Sequence, residues 1–263
     1  MKVEGGNMNF KNKVVVITGA TGGIGGTAAE EFARKGAKLS LIGTNPDKLK
    51  NLEERLNLDA SRVLFIQADI RNENEVKSYV DQTIEKFGTI DIFLNNAGTE
   101  GEVANIVDTE EKNLDCVINI NIKGTYFGLK HVLPIMYQNK SGSIINTASV
   151  AGLMGSPGLA PYIASKHAVI GITKSAALES APYNVRVNAI CPGPVNNNMM
   201  RQIEKKAAPD APDALKDAFV KDIPFGRYAN NQDVVNTMLF LASDLSTYLT
   251  GTIHRIDGGT GAK

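Results

Sequence analysis

The chain has 263 residues, of which 43% are hydrophobic and 21% charged, enough apolar material for one large globular core. Its 28 Lys and Arg balance its 28 Asp and Glu, so no basic excess favours a nucleic acid or an anionic membrane as partner. The two cysteines, Cys116 and Cys191, form neither a disulfide framework nor a metal-ligand pattern, which places the expected home of the chain in a reducing cytoplasm.

Residues 1–11 read as a flexible, polar lead-in without the apolar core of a signal peptide. Val14 to Ile17 is a β-branched run of the kind buried on both faces of a sheet. It leads into the glycine-rich turn Thr18–Gly25, and a helix follows from Thr27 to Lys35, stopped by Gly36. Strands are predicted at Lys38–Ile42, Arg62–Gln67 and Ile90–Leu94. Between them, one helix begins at Asn45-Pro46-Asp47 and another covers Glu73–Phe87. Residues 109–136 read as one long helix, bent near Gly124. A strand at Ser143–Ala148, a helix from Pro161 to about Ala181 and a strand at Val185–Ile190 come next. The uncharged stretch 141–165 is too rich in Gly, Ser, Asn and Pro to span a membrane. Residues 196–224 read as a capping segment, with a mobile lid at Ala207–Ala214; a helix at Gln232–Ser243 and a strand at Thr252–Ile256 close the chain.

Strands and helices alternate throughout. The expected fold is therefore α/β: a single doubly wound, Rossmann-type domain with a parallel sheet and helices on both faces. Ligands of such sheets bind beyond the strand C-termini. Gly19, Asp69, Asn96, Ser149 and Pro192 all fall at such ends, so five loops converge on one edge. The turn after the first strand suits a pyrophosphate, because glycines admit a close backbone approach and the next helix offers free N–H groups. Tyr162 and Lys166 lie four apart on a predicted helix, hence on one face. A phenol beside an ammonium is a candidate proton donor and acceptor, with its pKa expected to fall, and the hydroxyl of Ser149 can bond a substrate oxygen. Tyr126 and Lys130 share the spacing but lack a partner serine, so they read as structural. His131, His167 and His254 have no metal-like spacing and no metal is expected. The charged face around Lys48–Arg55 reads as solvated surface.

These residues resemble the short-chain dehydrogenase/reductase family across about residues 12–260. The carriers are the T-G-x-x-x-G-x-G turn at Thr18–Gly25, Asn95-Asn96-Ala97-Gly98, Ser149 thirteen positions before Tyr162, Tyr162-x-x-x-Lys166, and Asn121 twenty-eight positions before Ser149. The resemblance implies seven strands, an NAD(P)(H) cofactor, a homotetramer and interconversion of a secondary alcohol and a ketone. It implies a catalytic set of Asn121, Ser149, Tyr162 and Lys166, in which Tyr162 exchanges the proton and Asn121 holds a water that reaches Lys166. It also implies cofactor contacts from Gly19, Thr21, Gly23, Ile24 and Gly25, from Thr44, from Asp69 and Ile70, from Asn96, Ala97 and Gly98, from Tyr162 and Lys166, and from Pro192, Gly193, Val195 and Asn197. A 3-oxoacyl reductase of the same family and a nucleotide-binding redox sensor without turnover are the alternatives.

Two departures matter. The end of the second strand reads Leu41-Ile42-Gly43-Thr44, without the acid that holds the ribose 2′-hydroxyl of NAD. Removing that acid removes a repulsion against a 2′-phosphate and tilts the expectation toward NADP. Asn197 stands where the family carries Thr, and it retains hydrogen-bonding capacity toward a carboxamide. Ser149, Met154, Tyr162 and Met199 are the expected substrate contacts. Leu153 and the Thr99-Glu100-Gly101 turn are candidate borders of the same pocket.

Overall fold

In the computed structural model, which describes residues 8–262, seven parallel strands form one sheet in the order β3-β2-β1-β4-β5-β6-β7. The strands are β1 Val14–Thr18, β2 Lys38–Gly43, β3 Val63–Gln67, β4 Ile92–Asn95, β5 Gly142–Thr147, β6 Val185–Pro192 and β7 Ile253–Ile256. Every residue of β1 is buried, because alternate side chains enter different layers. Val15 and Ile17 pack with Ala28, Phe32, Val234 and Met238. Val16 faces the other way, with Val76, Tyr79, Phe93 and Leu129. The two layers are thus α1 (Gly23–Arg34) and α9 (Asn231–Ala242) on one face, and α3 (Glu73–Phe87), α5 (Gly124–Asn139) and α6 (Ala160–Ser180) on the other.

The strand order reverses between β1 and β4. The loops after these strands diverge toward opposite halves of the sheet and leave a crevice at their C-terminal ends, as parallel topology requires. Helix α2 (Pro46–Leu56) follows β2, with Pro46 in its first turn and Asn45 capping it: Asn45 Oδ1 accepts from the Lys48 N–H at 2.9 Å.

Four expectations change. The lead-in partly lies outside the described residues, but from Met8 onward the chain is docked. Phe10 is buried against Phe32 at 4.7 Å between ring centroids, and its N–H reaches the Lys35 carbonyl. Helix α1 begins at Gly23, four residues earlier than expected, so the glycine turn itself supplies the first helical turn. The predicted helix 109–136 is three pieces: α4 (Glu111–Val117), a π-helical segment Ile118–Lys123, and α5. The alternating Ile and Asn of this segment are weak helix formers, and the wider turn brings Asn121 inward. Finally, the capping segment carries two helices, α7 (Asn198–Ala207) and α8 (Pro212–Asp222), which narrows the predicted lid to the short turn between them. Beneath them Met200, Ile223 and Tyr228 form a small core of their own.

Candidate active site

The loops beyond the strand ends enclose a crevice of about 780 Å³. Its floor is the turn after β1. Gly19 has φ +65°, and a Cβ there would sit 2.9 Å from the Ala97 Cα. A Cβ on Gly25 would overlap the Gly19 carbonyl oxygen. Both positions therefore need glycine for close packing, and they leave a backbone cradle at the N-terminus of α1. Thr18 ties this turn to the loop after β4: its Oγ1 accepts from the N–H groups of Asn96 (3.0 Å) and Ala97 (3.1 Å). The Asn96 side chain closes the link by donating to the Thr18 carbonyl and accepting from Thr147 Oγ1. Asn95 points the other way, into a buried network with Thr125 and Asn146.

Every residue expected to touch cofactor or substrate lines this one crevice, from Gly19, Thr21, Gly23, Ile24 and Gly25 through Thr44, Asp69, Ile70 and Asn96–Gly98 to Pro192, Gly193, Val195, Asn197 and Met199. Ser149, Met154, Tyr162 and Lys166 line it too. Asn121 does not. It is buried behind the wall, where its Oδ1 accepts from the Thr99 N–H (2.8 Å) and its Nδ2 donates to the Thr99 carbonyl (2.8 Å) and to Ser165 Oγ (2.9 Å). Leu153 packs instead with a small apolar cluster around Val169, and the Thr99–Gly101 turn stays off the lining. Asn197 uses its Oδ1 to cap α7 through the Met200 N–H (3.2 Å), which limits what that oxygen offers a ligand.

Tyr162 and Lys166 are both buried and project from α6 toward Ser149, with the lysine nitrogen 5.6 Å from the phenol ring centroid. Lys166 Nζ donates to the Thr147 carbonyl at 2.8 Å. The expected lowering of the Tyr162 pKa does not hold in this crevice. Burial pushes the phenol up to about 12; a hydrogen bond from Ser149 opposes this, while the charges of Glu100 and Cys191 add to it. Burial also lowers Lys166 to about 8. Desolvation drives each group toward its neutral form. Tyr162 is therefore a protonated acid at neutral pH.

The second Tyr–Lys pair is unlike the first. Tyr126 is exposed and Lys130 pairs with Glu73 at 2.6 Å. His131 also meets Glu73, His167 bonds the Ile163 carbonyl and His254 meets Thr252. No group of three or more His, Cys, Asp or Glu among the described residues is arranged to hold a metal.

Sequence reasoning missed Lys48 and Arg71, which line the crevice. The signal was positional: Lys48 follows the β2 end by one helical turn, and Arg71 follows Asp69, whose carboxylate it grips and holds below the usual range. It also missed Leu159, Ile203 and Phe219, which make the substrate end apolar. They come from segments with no fixed distance to a motif.

A family model described as enoyl-(acyl carrier protein) reductase, of the short-chain type, matches residues 19–261. Levodione reductase of Leifsonia aquatica is 37% identical over 255 residues, 96% of either chain. A 3-oxoacyl-[acyl-carrier-protein] reductase of Thermotoga maritima is 36% identical over 252 residues, 96% of this chain and 99% of its own. Among solved structures, levodione reductase superposes with a TM-score of 0.93 at 37% identity, covering 97% of this chain and 99% of that one. NAD+-bound xylitol dehydrogenase gives 0.90 at 34% identity and NADP-bound ElxO 0.87 at 31%, each covering 95% of this chain and 99% of its own.

Proposed function

The chain belongs to the short-chain dehydrogenase/reductase family and is an NAD(P)-dependent oxidoreductase of secondary alcohols and ketones; within that class we propose that it reduces or regenerates a compact, largely apolar ketone, cyclic ones included, with Tyr162 as proton donor. The observation that carries this reading is the meeting of a buried Tyr162, a Ser149 hydroxyl and an apolar wall in one crevice.

The glycine turn and the α1 N-terminus fit a dinucleotide pyrophosphate, since Gly19, Gly22, Gly23 and Gly25 line the crevice there with backbone alone. A bound reduced nicotinamide supplies the hydride to the carbonyl carbon. The protein supplies the rest. Ser149 hydrogen-bonds the carbonyl oxygen, and Tyr162 gives it a proton as the alcohol forms. Lys166, fixed by the Thr147 carbonyl, would hold the ribose and stabilise the phenolate left behind. Asn121, bonded to Thr99 and Ser165, backs Lys166 and is the proposed anchor of its water. In the reverse direction the same phenolate takes the alcohol proton.

We assign the cofactor as NADP in preference to NAD. No acid ends β2, the α2 N-terminus faces the crevice at Thr44, and Lys48 adds a cation beside it. The capping role of residues 196–224 is supported by Met199, Met200, Ile203 and Phe219, which line the crevice from above. The homotetramer that the resemblance implies would cover exposed apolar side chains such as Ile106, Val107, Tyr126 and Tyr248. A cytoplasmic setting agrees with two free cysteines and with no described helix long and apolar enough to cross a membrane.

Titration with NADPH and NADH, read by nicotinamide fluorescence, tests the cofactor reading; micromolar binding of NADPH and weaker binding of NADH is expected. A panel of cyclohexanone, levodione, linear methyl ketones and an acetoacetyl thioester then tests the substrate reading. Fastest turnover of the cyclic ketones supports it. Fastest turnover of the thioester favours the second reading, a 3-oxoacyl reductase, which the Thermotoga relative supports.

A further inference from the structure

Helix α7 roofs the substrate end, and its last turn reaches the loop that follows β4. Lys206 Nζ donates to the Gly101 carbonyl at 2.8 Å and lies 3.2 Å from Glu102 Oε1 and 3.5 Å from Glu100 Oε1. The loop it meets is itself held. The Glu102 N–H bonds Asn113 Oδ1 at 2.9 Å, and Asn121 brackets Thr99 from both sides of its peptide. Gly101 is buried, and the Glu100 side chain is only 12% exposed. An acid so withdrawn from water needs a cation, and Lys206 provides it.

We propose that Lys206 is a positioning residue for the reaction: it fastens the C-terminal end of α7, whose Met199, Met200 and Ile203 wall the substrate pocket, to the loop after β4. The inference rests on the assignment of that pocket to the substrate. The rest of α7 is anchored elsewhere. Asn197 caps its start, and in its middle Arg201 and the Tyr228 hydroxyl both bond the buried Glu204. Without Lys206 the last turn loses its tie to the loop after β4, and the pocket opens at the Glu100 side.

The test compares wild type, Lys206→Met, Lys206→Arg and the double variant Glu100→Gln with Lys206→Met. Hydrogen exchange of residues 198–207 in the cofactor-free protein reads the fastening directly and needs no turnover. It should speed several-fold in Lys206→Met and return toward wild type in Lys206→Arg. With NADP+ and cyclohexanol, or the fastest cyclic alcohol of the panel, Lys206→Met should raise KM several-fold with kcat little changed, and Lys206→Arg should return KM toward wild type. The double variant should keep the fast exchange and the raised KM. Unchanged exchange in Lys206→Met overturns the fastening, and an unchanged KM overturns the positioning role. If the wild type turns over no alcohol, the substrate reading fails, and the exchange result still decides whether Lys206 holds the helix.

Discussion

The two ends of the crevice are built on different principles. At the cofactor end, backbone meets backbone: Gly19 against Ala97, Gly25 against Gly19, and Thr18 pinning two loops with one hydroxyl. At the substrate end, two helices sit on a small core of Met200, Ile223 and Tyr228 and are tied down by side-chain ions, Arg201–Glu204 and Lys206 with Glu100 and Glu102. One end fits a constant ligand with little freedom to vary. The other is held by contacts that single substitutions can retune, which suits a family whose members share a cofactor and differ in substrate.

The sharpest break falls where the ends meet. Tyr162→Phe should lower kcat by about 10³-fold with little change in cofactor affinity, since only the transferable proton is removed; steady-state kinetics and fluorescence titration check both. The pH dependence of the wild type follows from the same residue. With Tyr162 raised to about 12 in the cofactor-free crevice, ketone reduction should be flat across neutral pH, because the acid form is fully present. Alcohol oxidation, which needs the phenolate, should climb with pH over the same range.

Next in size is the cofactor end. Gly25→Ala forces a methyl group onto the Gly19 carbonyl, and the turn must shift. Overpacking of this kind costs about 1–3 kcal/mol, and NADPH affinity should fall about tenfold or more for a shift of 1.4 kcal/mol. If affinity for both dinucleotides survives, the backbone account of this end is wrong. Lys48→Met should be more selective. It should weaken NADPH by about five- to tenfold, a loss within the range of one charge-assisted bond, and leave NADH unchanged.

The smallest effect is expected under the roof. Tyr228→Phe leaves Glu204 with Arg201 but without its phenol donor, at about 1–3 kcal/mol of stability. Thermal unfolding should report that loss, while KM for the ketone rises a few-fold and cofactor binding stays constant.

The same contrast explains what could be read from the chain alone. The β-branched run Val14–Ile17, the glycines after it and the Ser149, Tyr162 and Lys166 spacing state local geometry, because period and turn chemistry are fixed by the backbone. The crevice lining at the cofactor end was legible for that reason. The roof was not. Helices α7 and α8 carry no motif and lie in the segment 196–224 that read only as a cap, and the partners of Lys206 lie about a hundred residues earlier, at Gly101 and its neighbours. The direction of the tyrosine pKa was hidden for a related reason: the Lys166 charge is visible in a sequence, whereas the burial that raises the phenol belongs to the folded chain. Asn121 was picked out by spacing, but the π turn that aims it was not.

That turn carries a consequence for how the chain tolerates changes in length. A deletion inside an α-helix rotates everything beyond it by about 100° and unseats one face or the other. The segment Ile118–Lys123 already contains one residue more than an α-helical path needs. Losing a residue there would convert it to ordinary helix, with α4 and α5 still presenting their present faces. The packing of Val132 and Met136 would survive, while Asn121 would swing away from Thr99. The π segment is thus a place where an insertion or deletion can switch the site while leaving the scaffold intact.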